Sequence, residues 1–234
     1  MKNRIYALKF AAILCVVCST LITGASVGLK GFQIDNMEVD RQKNILKAAG
    51  VIEPGDDREI SKAMVRQIYD NSIEEIEENG LTLYLYKGDD GSPPDKTDVI
   101  PMESGAIKAY VIPIESKGLW GKIKGYMAFE NDGMTVAGFT VYSHSETPGL
   151  GGEIEKAWFG KNFVGKKIVD ASGGFVSISI AKGETGSLPP GQRENHVDGI
   201  SGATLTGKYL TQGIRENLKM YEPVSLKFRK NQQQ

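Results

Sequence analysis

Met134-Thr135-Val136-Ala137-Gly138-Phe139-Thr140-Val141-Tyr142-Ser143 decides the fold class. Apolar Val136, Phe139 and Val141 interleave with Thr135, Thr140 and Tyr142, and the β-branched and aromatic content is that of a half-buried strand. Upstream, Leu81–Tyr86, Ala106–Ile114 and Leu119–Glu130 read as further strands, the last loosened by Gly121 and Gly125. Downstream, Phe175–Ile180 alternates strictly, with Val176, Ile178 and Ile180 set against Ser177 and Ser179. Helical periodicity frames this run over Asn36–Gly50, Ser61–Asn79 (closed by Asn79-Gly80), Glu153–Phe159 and Thr206–Met220. Helices, then strands, then a strand and a helix predict an α+β fold with a mostly antiparallel sheet and flanking helices. Asp89–Asp98 reads as a polar Gly/Pro loop and Lys230–Gln234 as a frayed tail.

The N-terminus has a different character. Phe10–Gly28 contains no charged residue. Nineteen helical residues span about 28 Å, close to the hydrocarbon core of a bilayer. Lys2, Arg4 and Lys9 precede this run and no acid appears before Asp35, so the positive-inside rule places the N-terminus in the cytoplasm and the body outside it. The run exceeds the usual h-region of a cleaved signal, which favours a retained anchor over residues 10–29; Gly24-Ala25-Ser26 leaves cleavage as the competing reading. Cys15 and Cys18 both fall inside the apolar run and read as lipid-facing or packing residues. The exported part then lacks cysteine altogether, which excludes a disulfide scaffold and a cysteine-based metal site.

With 28 basic and 29 acidic residues in 234, the chain is not a basic nucleic-acid binder. Its 28 glycines have no Gly-X-Y period and point to turns and close backbone approaches.

Two segments carry chemical information. His144-Ser145-Glu146-Thr147-Pro148-Gly149-Leu150-Gly151-Gly152-Glu153 follows the strongest strand. One proline and three glycines force a tight excursion that lets main-chain N–H groups approach a ligand. The plain alternative is an elaborate strand-to-helix turn. It is not a dinucleotide fingerprint, because the third glycine is missing. Asp198-Gly199-Ile200-Ser201-Gly202-Ala203-Thr204-Leu205-Thr206 opens the last helix. Small residues and hydroxyls at a helix start suit an anion. Capping alone explains one hydroxyl, not Ser201, Thr204 and Thr206 grouped around Gly202-Ala203. His144 and His196 each sit two residues from an acid, Glu146 and Asp198, a pattern that invites a zinc reading; nothing in the spacing joins the two pairs. Trp120 reads more readily as a core aromatic than as a ring-stacking residue.

Asp198-x-x-Ser201-Gly202-Ala203-Thr204-x-Thr206 resembles, at every fixed position, the flavinylation motif of FMN-binding domains in redox-driven ion pumps. The resemblance implies FMN joined to Thr206 by a phosphoester, installed by a separate flavin transferase that uses FAD and Mg²⁺ and supplies the chemistry itself. Chemistry alone does not choose between Thr204 and Thr206; the resemblance chooses Thr206, the motif's last position. The loop His144-x-Glu146-Thr147-Pro148-Gly149-Leu150-Gly151 resembles the family's second flavin-contacting segment. Leu150 is then a candidate to pack on the ring. Thr147, Gly149 to Gly151, Ser201 and Thr204 become candidates for the ribityl chain and phosphate, and Asp198 for transferase docking or for the helix start.

Asp40-Arg41-Gln42-Lys43-Asn44-Ile45-Leu46, Gly118-Leu119-Trp120-Gly121 and Gly151-Gly152-Glu153 narrow the resemblance to the C-type subunits of the Na⁺-translocating NADH:quinone reductases. That family implies a single-pass inner-membrane protein with its soluble domain outside the cytoplasm. It implies electron transfer from NADH towards quinone coupled to Na⁺ export, with the other membrane subunits as partners. The implied layout is residues 1–9 cytoplasmic, 10–29 anchor, 30–80 helical linker, 81–222 FMN-binding domain and 223–234 tail. Two rivals remain: the G-type subunit of the ferredoxin-linked Rnf complex, and a non-redox exported domain holding a free anion. Genomic neighbours separate the two pumps, and a flavin that survives denaturing electrophoresis separates both from the free-ligand domain.

Overall fold

The computed structural model describes residues 2–52, 60–88 and 107–231, so the Asp89–Asp98 loop lies outside the described residues. The chain divides into two compact units, Met1–Asp40 and Arg41–Gln234. Helix α1, Lys2–Ala48, is continuous through Gly28 and Gly31. Within the first unit it exposes Phe10, Ile13, Leu21 and Ile22, and it is long and apolar enough to cross a membrane.

The second unit is built on a five-stranded antiparallel sheet in the order β1-β2-β3-β4-β5: Ile73–Glu78, Leu81–Tyr86, Ala109–Lys117, Lys122–Glu130 and Val136–Ser143. Period-two alternation assigns its two faces. On β3, Tyr110, Ile112, Ile114 and Ser116 face α5, Thr204–Asn231, which supplies Leu210, Ile214 and Leu218 to the core. The intervening Val111 shares its face with Ala128 and Gly138, which lie level with it on β4 and β5. That face receives the end of α1. Thr140 Oγ1 donates to Asn44 O at 3.3 Å, and a side chain at Gly138 would strike the Ala48 carbonyl. The apolar spacing in β5 slips parity between Val136 and Phe139. The reason is a β-bulge: Phe129 pairs with Val136 and Ala128 with Gly138, which leaves Ala137 as the extra residue.

Several expectations are corrected. The helix expected over Ser61–Asn79 ends at Ser72: α2 is Lys62–Ser72, capped by the Ser61 hydroxyl accepting from Met64 N–H. Ile73–Glu78 is instead the edge strand β1, so the expected linker over 30–80 contributes to the sheet. Asn79 and Gly80 have φ of 54° and 76°, both positive, as a two-residue hairpin of type I′ requires. That turn, not helix closure, is their role. Glu74, Glu75 and Glu77 then blunt the sheet edge with charge.

Glu153–Phe159 is not one helix. A 3-10 turn over Gly151–Glu155 breaks at Lys156 before α3, Ala157–Lys161. Phe175–Ile180 is strand only at β6, Ser179–Ile180, because Ser177 adopts φ 76° and interrupts the extended run. After α4, Pro190–Arg193, strand β7, His196–Val197, pairs parallel with β6.

Helix α5 starts two residues before the expected Thr206 and continues past Met220 and through Pro223 to Asn231. Tertiary packing outweighs the proline. Val224 and Phe228 are buried, Phe228 stacks on Tyr110 at 4.4 Å, and Ser225 Oγ lies 2.8 Å from the Tyr110 hydroxyl. The expected tail over 223–234 is therefore helical as far as it is described.

Candidate functional site

Three segments far apart in sequence meet at one end of the sheet: the β3–β4 turn, the loop after β5 and the first turn of α5. Their meeting point is the Glu146 carboxylate, only 5% exposed. Oε1 accepts the amide N–H of Leu119 at 2.8 Å and of Trp120 at 3.1 Å. Oε2 accepts the Thr206 hydroxyl at 2.5 Å, and Thr206 is itself only 2% exposed. A charged acceptor with three donors in a buried setting is a strong tie.

Glycines make the approach possible. A Cβ on Gly151 would stand 2.5 Å from Thr206 Oγ1 and 2.7 Å from Glu146 Oε2. A side chain at Gly118 would collide with Glu146 Oε1, and Gly118 N–H closes the β3–β4 turn onto Gly121 O at 2.6 Å. Gly149 differs. Its φ is +73° and a Cβ there meets nothing within 4 Å, so it serves backbone conformation and not space. The loop is held by Leu150 N–H and Gly152 N–H donating to Thr147 O at 3.2 and 2.9 Å. Gly202 has φ +74° and lies under the Leu150 side chain, whose Cδ2 would be 2.8 Å from a Cβ there.

The resulting cleft of about 220 Å³ is lined by buried Glu146, Gly151, Ala203 and Thr206 and by exposed Leu119, Trp120, Thr147, Leu150, Gly202, Thr204 and Leu205. Gly202, Ala203, Thr204 and Leu205 come from the start of α5 and the turn before it, and Leu119 and Trp120 from the β3–β4 turn. Eight predicted site residues thus come together: Glu146, Thr147, Leu150, Gly151, Gly202, Ala203, Thr204 and Thr206. Gly149, Asp198 and Ser201 do not line it.

Asp198 lies at the support, not the wall. Its Oδ1 accepts the Thr185 amide and hydroxyl, each at 2.7 Å, and these bonds hold its carboxyl below the usual aspartate range. Leu119, Trp120 and Leu205 were not predicted for the site. Trp120 is no core aromatic: it is 69% exposed, with Leu205 at 50%. Two large apolar residues between Gly118 and Gly121 in a hairpin turn were the available signal, since a turn gives such side chains nothing to pack on.

The histidines are engaged separately. His144 Nδ1 accepts Glu146 N–H at 3.1 Å, so its Nε2–H donates to Glu155 at 3.1 Å. His196 Nδ1–H donates to Gln192 O at 2.8 Å. Among the described residues no cluster of three or more His, Cys, Asp or Glu is placed to hold a metal ion.

The site suits a flavin mononucleotide. It combines a buried alcohol with a proton partner, the open amides of a helix start for a phosphate, and an exposed apolar lip for a ring. The FMN-binding domain family matches residues 118–219, which contain all three site segments. The C-type subunit of the Na(+)-translocating NADH-quinone reductase of Yersinia pestis is 33% identical over 225 residues, covering 85% of this chain and 82% of that protein. Its counterpart in Pseudomonas aeruginosa is 32% identical over 231 residues, covering 86% of each. Among solved structures, the C-type subunit of the Na(+)-translocating NADH-quinone reductase of Parabacteroides distasonis superposes with a TM-score of 0.65 at 28% identity, over 86% of this chain and 96% of that one. NqrC of Shewanella oneidensis has the same fold, with a TM-score of 0.59 at 22% identity over 83% and 97%. A cleft built around Thr206, Glu146 and an apolar lip, on a fold and sequence shared along nearly the whole length of these proteins, places the chain in the family of C-type subunits of the Na(+)-translocating NADH-quinone reductases.

Proposed function

We propose that this chain is a membrane-anchored electron-transfer subunit that carries FMN as a phosphoester on Thr206. It works in a Na⁺-translocating NADH:quinone reductase, passing electrons from NADH towards quinone with coupled Na⁺ export. The observation that carries the reading is the position of Thr206 Oγ1 at the base of a cleft whose outer lip is exposed and apolar. When bound, FMN supplies the electron transfer; the protein supplies position and electrostatics.

The residues divide this work. The open amides and positive dipole end of α5 favour the phosphate, with Thr204 as a further hydroxyl donor. About 220 Å³ is smaller than the ~300–1,000 Å³ of a pocket that encloses a drug-sized ligand, so the cleft takes the phosphate end and the ring lies over the lip. Leu150, Leu119, Trp120 and Leu205 offer that ring an apolar bed, and their exposure leaves its edge open to a neighbouring redox centre. Ser201 and Gly149 act through the shape of their loops. Asp198 holds the approach to α5 through Thr185.

The apolar run of α1 anchors the protein in the inner membrane, and Lys2, Arg4 and Lys9 put the domain on the periplasmic side. The other membrane subunits of the reductase are its working partners, and a flavin transferase is its partner during maturation.

Mass spectrometry of the tryptic peptide Glu194–Lys208, after co-expression with an active transferase, tests the reading. An FMN-sized adduct is expected on Thr206 and is absent from Thr206→Val. An adduct on Thr204, or none on this peptide, overturns it.

A further inference from the structure

The contact between Glu146 and Thr206 is the least expected part of the site. The family resemblance implies that the transferase supplies all the chemistry of attachment, with Thr206 as a passive acceptor. The buried geometry points elsewhere. A threonine alcohol is a weak nucleophile and needs an adjacent base to take its proton. Glu146 Oε2 already accepts a hydrogen bond from that hydroxyl at 2.5 Å, at the short edge of the reach expected of a general base. Two main-chain amides hold Oε1 and so fix the direction in which Oε2 points. Those amides belong to Leu119 and Trp120, the same turn that forms the apolar lip. Gly151 leaves the Oγ1–Oε2 pair room to close. Both side chains are almost fully buried, so no layer of bulk water competes for the proton.

We propose that Glu146 is the general base of its own chain's flavinylation. The idea rests on the reading of Thr206 as the attachment residue. Thr206 Oγ attacks the flavin-side phosphorus of flavin adenine dinucleotide. An Oγ–P bond forms, the pyrophosphate P–O bond breaks, AMP leaves, and the hydroxyl proton passes to Glu146 Oε2. Nothing is oxidised or reduced. The transferase binds the dinucleotide and Mg²⁺ and stabilises the leaving phosphate; the acceptor protein brings its own base. The arrangement also selects between the two threonines. Thr204 is exposed and forms part of the α5 side of the cleft, whereas the Thr206 hydroxyl is the one held on the carboxylate.

The test uses the detergent-solubilised full chain, purified without flavin, with transferase, FAD and Mg²⁺. The readout is the mass of the Glu194–Lys208 peptide over time. Glu146→Gln keeps the size and one acceptor oxygen but cannot take the proton. Its turnover number as transferase substrate should fall about 10²–10⁴-fold, the range for loss of a general base, while the KM for FAD stays unchanged. A rise in KM alone would mean a docking role and would overturn the proposal, as would loading at the wild-type rate.

If Glu146→Gln does not fold, Glu146→Asp carries the test. It keeps a carboxylate but withdraws it by one methylene, and a tenfold or greater loss of turnover is expected. Wild-type turnover in that variant overturns the proposal. Absence of the adduct from the wild-type chain, or its location on Thr204, instead sinks the underlying reading of Thr206, so the two failures are distinguishable.

Discussion

Gly151→Ala should damage the site far more than Gly149→Ala, although the two glycines stand two residues apart in one loop. At Gly151 the new Cβ lands 2.5 Å from Thr206 Oγ1, 2.7 Å from Glu146 Oε2 and 3.1 Å from Glu146 Cβ. Ordinary non-bonded approach is about 3.5–4.0 Å, so the methyl intrudes by roughly 1 Å on two buried oxygens at once. Gly151 does not have a positive φ, so the backbone itself accepts alanine. The relief available is to part Glu146 from Thr206. Overpacking of this kind costs about 1–3 kcal/mol, and losing a hydrogen bond to a charged group adds about 1.5–3 kcal/mol where it is not remade. A net loss of about 2–4 kcal/mol follows, since the two effects partly overlap.

Gly149→Ala meets no atom and carries only the strain of φ +73°, about 1 kcal/mol. In a domain of this size each kcal/mol lowers Tm by about 2–4 °C. Thermal unfolding of the solubilised chain should therefore place Gly149→Ala a few degrees below wild type and Gly151→Ala roughly twice as far or more. Peptide mass should find the flavin adduct retained in the first and largely lost in the second. Equal stabilities, or full loading of Gly151→Ala, would refute the steric argument.

Asp198 predicts a pH dependence. Its folded-state carboxyl is held below the ordinary value by the Thr185 amide and hydroxyl, so its contribution to stability is complete above about pH 5 and is lost as pH falls through about 4 and below. Urea midpoints should decline less steeply over that acid range in Asp198→Asn than in wild type, and parallel declines would remove Asp198 from the acid response. Gly80→Ala, at φ +76° in the β1–β2 hairpin, should cost about 1 kcal/mol by denaturant titration and raise amide exchange in β1 selectively; uniform exchange would contradict an independently fraying edge. Leu150→Ala, 45% exposed in wild type, should leave Tm within about 1–2 °C and keep the adduct while shifting the flavin absorption band and potential; an unchanged flavin would remove Leu150 from the ring contact.

The legible parts of the fold were those whose local pattern and tertiary role agree. Met134–Ser143 reads as a strand, and Val136–Ser143 of it is one; even its parity slip marks a real bulge. Ile73 and Ile76 among four glutamates have helical spacing, yet the segment is an edge strand. Its outward charge comes from the need to blunt an edge, and the hairpin lies in Asn79-Gly80, two letters equally able to end a helix. Ser177 could not be read at all, since a positive φ at a serine leaves no trace in an alternating pattern. The last helix was read as ending at Met220; it runs on through Pro223, where the buried Val224, Ser225 and Phe228 pack towards Tyr110. In the site, the small residues and hydroxyls before α5 and the glycine loop after β5 were visible because each clusters in sequence, while Thr206 and Leu150 were singled out by the resemblance. The partnership of Glu146 with Thr206 spans 60 residues and the lip at Leu119-Trp120 lies further still, so neither follows from spacing.

Helix α5 lies along β3 on one face of the sheet, and that has a bearing on when this protein becomes itself. Tyr221 Oη donates to Thr82 O across 139 residues of chain, and Tyr110 meets Ser225 across 115. Until residues 210–228 have been synthesised, Tyr110, Ile112 and Ile114 lack the α5 side chains that complete the core on that face. The emerging chain must carry a partly uncovered apolar sheet through most of its synthesis. High sequence separation of this kind makes folding slow and leaves nascent forms open to aggregation. Leu119, Glu146 and Thr206 become neighbours only at the last step. A half-made chain therefore lacks the cleft that these three residues build.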